Sequence, residues 1–447
     1  MKLHKFKQNL NIIFSLFIGL IIGYFLFGNI YILYEKKKDS IEEPYYAYYV
    51  NNTSTREMPN KNSGLTLDTA KSSCTSGVTI SWNDNNWQAI LDYNNYQKNS
   101  TTRTKCTLYF KKKPVPPATT QLNNLVSGAN KSSTDVYTVP NKTSSSCTYT
   151  LAYDGTSDNN LRYVGANPCN YVTFNNEKTG WRIIGILNTP EGKRIKLVRA
   201  NSIGEYAWDN KAKGTGSSTS SSGSDDWTDS TLKEVLNNGA YYNKTSGTCP
   251  SGQNGATTSC NFTSNGLTAD AKNQIDTITW KLGGVQNNYN TSPYGLTKTF
   301  YTYERGTTVY TGRPTEWKGK IGLIYPSDYG YATSGGSTRN RNDCLAQNLT
   351  EWVSAKISYG DCHRNDWLYI PNGNIFTWTL TPLYSIRGAT GSAFGIYRNI
   401  NTDSGEILAR GVALMKGNVY PSLYLKSSIT ISSGEGTPEN PYVLSAS

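Results

Sequence analysis

Trp181-Arg182-Ile183-Ile184-Gly185-Ile186 and, near the far end of the chain, Ser422-Leu423-Tyr424-Leu425 are the stretches on which the fold turns. Both are short apolar runs with strand composition, and they are the strongest strand signals present. We expect them to be neighbours in one sheet, so that the large domain closes only with its last strand. Weaker strand-like runs lie beside the first, at Tyr171 to Phe174 and Arg194 to Arg199. A Gly/Ser loop from Gly214 to Ser224 follows, then Trp227 and a helix. Asp229 or Ser230 can cap that helix, Leu232, Val235 and Leu236 give it an apolar face, and Gly239 suits its C′ position. Thinner helical patterns cover Thr268 to Asp276 and Leu296 to Arg305. Strands return at Lys320 to Tyr325, Phe376 to Leu380, Phe394 to Ile400, Glu406 to Ala409 and Tyr420 to Ile431. This order of strands, helices, long loops and terminal strands argues for an α+β domain dominated by antiparallel strands. The closing Ser433 to Tyr442 reads as turn chemistry, and deleting Gly434 to Ser447 is expected to cost little.

At the other end, Lys2, Lys5 and Lys7 lead into an apolar run from Ile12 to Tyr34. About 20 apolar residues cross a bilayer, so the run predicts a single N-terminal transmembrane helix. All eight cysteines lie beyond it, which predicts an N-inside topology with an extracellular C-terminal part. The expected organisation is a cytoplasmic tip (1–11), the span (12–34), a stalk (35–64) carrying Tyr45, Tyr46, Tyr48 and Tyr49, a small disulfide-stapled β module (65–113), a stiff Pro-rich linker (114–134) and a large domain (135–447). Gly19 and Gly23 have the small-residue spacing of helix dimers, which also arises by chance in a Gly-containing span.

Tyrosine (33) outnumbers phenylalanine (11) and glycine reaches 40, the composition of a β-rich, loop-rich exported protein. Sequence alone does not fix cysteine connectivity. Local pairing is the simplest solution: Cys74 with Cys106, Cys147 with Cys169, Cys249 with Cys260 and Cys344 with Cys362. Zinc ligation lacks any C-x-x-C and has only two histidines to draw on. Disulfides imply an oxidising exterior. The net charge of +12 then points to anionic wall polymers or the membrane surface, and away from nucleic acid.

The run from Trp181 to Ile186, the segment from Ile195 to Trp208, Trp317-Lys318-Gly319-Lys320-Ile321-Gly322-Leu323-Ile324-Tyr325-Pro326-Ser327-Asp328-Tyr329-Gly330 and Trp378-Thr379-Leu380 together resemble a group of uncharacterised, N-terminally anchored surface proteins of low-GC Gram-positive gut bacteria. Pro421-Ser422-Leu423-Tyr424-Leu425-Lys426 is similar to the RPALWL-like close of a related domain-of-unknown-function family, with Tyr420 where that family has Arg. The element order also resembles C-type-lectin-like domains, whose terminal strands pair. Sugar binders of that class carry Trp-Asn-Asp on a strand; here Trp82-Asn83-Asp84 falls in the small module instead.

Little catalytic chemistry is legible. His363 sits beside Cys362 in Asp361-Cys362-His363-Arg364-Asn365-Asp366 and reads as a solvated loop histidine, while His4 lies at the expected cytoplasmic tip. Bridged cysteines leave no thiolate nucleophile. Asp225, Asp226, Glu304, Asp328, Glu351, Asp366 and Glu406 could supply a glycosidase pair but read as solvated surface acids. Asn401 to Glu406 offers oxygen ligands for calcium, though a hairpin turn around Gly405 explains it equally. Tyr384, Arg387, Tyr397 and Arg398 are the candidate ligand-binding residues, with Trp378 and Tyr424 assigned to the core. No cofactor and no metal site is expected. The reading is a non-catalytic surface binding or adhesion protein for a glycan, wall polymer or protein. The alternatives are a pilin-like subunit or a wall-active glycosidase.

Overall fold

The computed structural model describes residues 44–97, 103–210, 226–252, 255–285, 288–307, 313–352, 360–369, 376–383, 393–399, 404–410 and 415–446. The expected span over 12–34 and its Gly19/Gly23 pair lie outside the described residues. Among the described residues no helix is long and apolar enough to cross a membrane. The chain forms two compact units, residues 1–114 and 115–447.

In the first unit, the strand Lys105–Lys112 organises the sheet. It pairs parallel with Tyr45–Val50 and antiparallel with Leu65–Leu67 and Ser73–Cys74. The segment expected to be a stalk therefore contributes a sheet strand, because alternate Tyr and Val side chains can cover the small core of Leu67, Cys106, Leu108 and Phe110. The Asp84 carboxylate of the Trp-Asn-Asp run accepts from Trp82 Nε1 at 2.7 Å and from the Thr66 hydroxyl at 3.0 Å, and pairs with Lys113 at 2.9 Å. Its oxygens are committed within the module.

The second unit corrects the α+β expectation. Its described residues are dominated by strands, and the longest described helix, Thr297–Glu304, has eight residues. The C-type-lectin-like architecture goes with that expectation. An eleven-stranded sheet runs Ile321–Gly322, Ser422–Tyr424, Gly192–Arg199, Glu177–Thr189, Leu161–Tyr163, Thr150–Tyr153, Val136–Thr138 and Asn130–Lys131, with Tyr171–Phe174, Tyr442–Ala446 and Ile429–Ser433 branching from Glu177–Thr189. The two decisive stretches share this sheet but are not neighbours. The hairpin Glu177–Thr189/Gly192–Arg199 places its second strand between them: Trp181 opposes Arg199, and Leu197 in turn opposes Leu423. A two-residue turn at Pro190 and Glu191 closes that hairpin locally, at less entropic cost than joining strands from opposite ends of the unit. Gly185 marks the bulge, where a Cβ would stand 2.2 Å from the Leu161 carbonyl oxygen. The strand expected over Lys320 to Tyr325 shrinks to Ile321–Gly322, because Pro326 starts the helix Pro326–Ala332.

Helix expectations fare better. Ser230 caps Thr231–Asn237 by accepting from the Lys233 N–H, and Thr268 caps Ala269–Gln274 in the same way. Gly239 is extended rather than left-handed, and starts the next short helix. The expected linker is helical over Ala118–Asn123, with Ala118 and Leu122 buried in the main core. The closing tail is more than turn. Tyr442–Ala446 pairs parallel with Tyr171–Phe174 and antiparallel with Ile429–Ser433, and Tyr442 is buried.

Trp181, Trp208, Trp227, Trp280, Trp352 and Trp378 are fully buried in one cluster. Trp208, Trp280 and Trp378 carry their indole N–H to a backbone carbonyl, Trp378 to that of Tyr206 at 2.9 Å. All four local disulfides are present.

Within this core lies a buried ion network. Asp328 accepts from Arg162 Nη1 at 2.7 Å, Lys196 Nζ at 2.6 Å and the Tyr325 N–H at 2.9 Å, and Arg162 also pairs with Asp154 at 3.0 Å. Burial alone would raise the Asp328 carboxyl; the charges of Lys196 and Arg162 override it and hold it well below the usual carboxylate range. Two acids expected at the surface, Asp328 and Glu304, are thus fully buried. Replacing Asp328 by Ala strands the buried Lys196 and leaves Arg162 with Asp154 alone, and should cost about 3 to 5 kcal/mol, read as a drop in the denaturation midpoint of the full chain. Ending the chain at Ser433 should also cost at least about 3 kcal/mol, the scale of losing one buried aromatic, and Tyr442→Ala alone should reproduce most of it. An unchanged thermal melt for either tail variant would show that the terminal strand contributes nothing.

Candidate functional site

The candidate site grows from one hairpin. Asn175 and Asn176 take left-handed φ values of 59° and 62°, as a two-residue type I′ turn requires, and a register shift between Val172 and Phe174 then sets Tyr171 opposite Arg182. Arg182 in turn opposes Val198, so these three residues share one face, while Val172 and Trp181 point to the core. Within the apolar run Trp181 to Ile186 of that strand, Arg182 is the single charge.

Its guanidinium lies between two rings, 4.2 Å from the Tyr171 centroid and 4.6 Å from that of Trp367. Nε donates to Asn170 Oδ1 at 2.7 Å, and Nη2 donates to Asn167 Oδ1 and the Pro168 carbonyl, both at 2.9 Å. Every one of these acceptors is neutral. The two hydrogens on Nη1 meet no protein acceptor among the described residues. Burial without a carboxylate partner lowers the guanidinium pKa to about 10. Two disulfides flank the site. Cys147–Cys169 pins the loop that supplies Asn167, Pro168 and Asn170, and Cys344–Cys362 pins the helix Gly360–Arg364 ahead of Asp366 and Trp367.

These groups line a cavity of about 510 Å³, together with Arg364, Asp366 and Tyr369. Such a volume suits a small ligand or one unit of a polymer. Arg199 also borders it, but its side chain lies on the opposite face and pairs with Glu177 at 2.7 Å. Among the described residues Asp366 is the only acid in the lining. Its Oδ1 accepts the Leu368 N–H at 2.9 Å, and its buried Oδ2 has no partner among the described residues. Burial pushes this carboxyl well above its usual range.

Of the sequence-predicted binding residues, Tyr384 and Arg387 lie outside the described residues. Tyr397 and Arg398 fall in the strand Ala393–Asn399, opposite Glu406 and Gly405. Asn401, Thr402 and Asp403 of the calcium candidate also lie outside. His363 is not a solvated loop residue: it is fully buried in the helix Gly360–Arg364, its ring edge-on to Tyr369 at 5.0 Å. Asp366, expected at the surface, is buried too. The available signal for this site was a lone arginine inside an apolar strand, Trp181-Arg182-Ile183, and an aspartate followed by Trp367-Leu368.

Comparison with protein-family models, curated proteins and solved structures returned no match. The function therefore rests on the cleft.

A carboxyl whose folded pKa is raised destabilises the fold as pH rises from its unfolded value, about 4, toward its folded one. Asp366→Asn removes that penalty. The variant should match the native chain near pH 4 and gain on it as pH rises, by up to about 1.4 kcal/mol per pH unit, in paired thermal melts. A pH-independent difference would mean that Asp366 is not protonated in the fold.

Proposed function

We propose that this is a non-catalytic binding protein of the cell surface, held at the membrane by its apolar N-terminal stretch, which takes an anionic polymer of the cell exterior into the Arg182 cleft. The observation that carries this reading is a largely enclosed guanidinium with neutral acceptors only, bordering a cavity with Nη1 unused. A buried charge costs several kcal/mol unless it is compensated. An anion in the cavity supplies the compensation, and Arg364 in the lining adds to the positive field. Four disulfides support an oxidising exterior, where wall polymers are the abundant polyanions. The overall charge of +12 favours the same partners. The resemblance to anchored surface proteins agrees with this placement.

The full chain, purified in mild detergent, should retain polyanionic wall polymer on a surface and ignore a neutral glycan of equal length. Arg182→Ala should weaken retention at least tenfold, given that losing one partner of a desolvated charge pair costs about 2 to 5 kcal/mol. Arg182→Lys should fall between, keeping the charge but not the planar fork. Affinity should drop as salt rises. Retention unaffected by Arg182→Ala would reject the cleft as the binding site.

A further inference from the structure

The cavity holds a second open valence besides Arg182 Nη1. Asp366 lines the same space, and its buried Oδ2 lacks a partner among the described residues, although Oδ1 is satisfied by the Leu368 N–H. A buried polar atom left unpaired is costly, so the group points to something absent from the protein itself. Cation and carboxyl are not paired with each other: the acceptors of Arg182 are Asn170, Asn167 and Pro168.

Resting on the binding reading above, we propose that the unit seated in this cleft is a hydroxyl-bearing anion, a glycosyl phosphate or a uronate, whose anionic oxygens meet Arg182 Nη1 and whose hydroxyl meets Asp366 Oδ2. The two open groups ask for different things. Nη1 is a fork end that donates only, the partner of a phosphate or carboxylate oxygen. A carboxylic acid oxygen both donates and accepts, and so does a hydroxyl. Burial pushes the Asp366 carboxyl above its usual range, which favours the neutral form and weakens its repulsion of a bound anion. Size agrees as well. A bare phosphate would leave most of the cavity of about 510 Å³ empty, whereas a sugar ring attached to the anion fills it beside Tyr171, Trp367 and Tyr369.

The test is calorimetric titration of the full chain with glucose 1-phosphate, propyl phosphate, glucuronate and inorganic phosphate. Glucose 1-phosphate should bind at least tenfold more tightly than propyl phosphate, which has the anion but no hydroxyl. The ratio of glucose 1-phosphate to glucuronate affinity identifies which anion the site prefers. Asp366→Ala should abolish the tenfold preference, while Asp366→Asn, still able to donate and accept, should retain most of it. The comparison of ligands on the native chain does not depend on either variant folding. Equal affinity for glucose 1-phosphate and propyl phosphate, both lost in Arg182→Ala, would overturn the hydroxyl contact and leave the anion-binding reading intact. No binding of any of the four anions would overturn both.

Discussion

Asp328 ties the second unit together. One carboxylate takes Arg162 from the strand Leu161–Tyr163, Lys196 from the strand Gly192–Arg199 and the backbone N–H of Tyr325 at the start of the helix Pro326–Ala332. Those two strands flank Glu177–Thr189 on either side. Satisfying a single buried anion therefore fixes three strands and a helix against one another. Buried ion networks are weak sources of net stability, because desolvation consumes most of the Coulombic gain. Their effect lies in which arrangements they forbid: a register that separates Asp328 from Lys196 leaves a buried ammonium without a carboxylate. The surroundings reduce the cost further. The Lys196 ammonium stands 4.3 Å from the Tyr325 ring and 5.2 Å from that of Trp280, so aromatic faces take up charge that one carboxylate cannot. This gives the tyrosine-rich composition a structural use.

The same sheet carries a second arginine treated in the opposite way. Arg162 is flanked by two carboxylates, Asp154 and Asp328. Arg182, on the adjacent strand, receives only amide and carbonyl oxygens. Both are held in place by several bonds, so neither has its position left to chance. The difference is whether the protein supplies the counter-charge. For Arg162 it does, and the result is architecture; for Arg182 it does not, and the missing anion has a cavity to occupy. A site prepared in this way gains affinity because its donors are already ordered before a ligand arrives.

Local signals in the sequence translated well into structure. Ser230 and Thr268 cap the helices that their spacing implies, and the cysteines pair with their neighbours. Period-two and apolar runs located most of the strands, since burial imposes that pattern directly. What failed was long-range. The order of strands depends on which closure is entropically cheaper, and nothing within Trp181 to Ile186 reveals that Gly192–Arg199 will lie between it and Ser422–Tyr424. The state of Asp328 depends on residues that lie far from it in sequence. An isolated acid in a polar-looking stretch, such as Asp366, reads as solvated until the fold encloses it. Arg182 was visible as a lone charge in an apolar strand, yet only the absence of a carboxylate beside it gives that charge a meaning.

The tail shows how these levels join. Ser433 to Pro441 does contain the turns that its composition announces, with Gly434 and Gly436 at φ values of 89° and 81°. Gly436 has no room for a side chain, since a Cβ would stand 2.5 Å from the Cys169 carbonyl oxygen and 2.4 Å from the Tyr442 ring. That close approach lets the Gly436 carbonyl accept the Tyr171 N–H at 2.9 Å, while Tyr442 opposes Val172. Tyr171 is one of the two rings that sandwich Arg182. The tail thus holds a wall of the cleft through main-chain bonds, beside a loop already fixed by Cys147–Cys169. Binding geometry and sheet closure are consequently set by the same contacts, so a change that loosens the terminal strand acts on the cleft even though no tail residue borders the cavity.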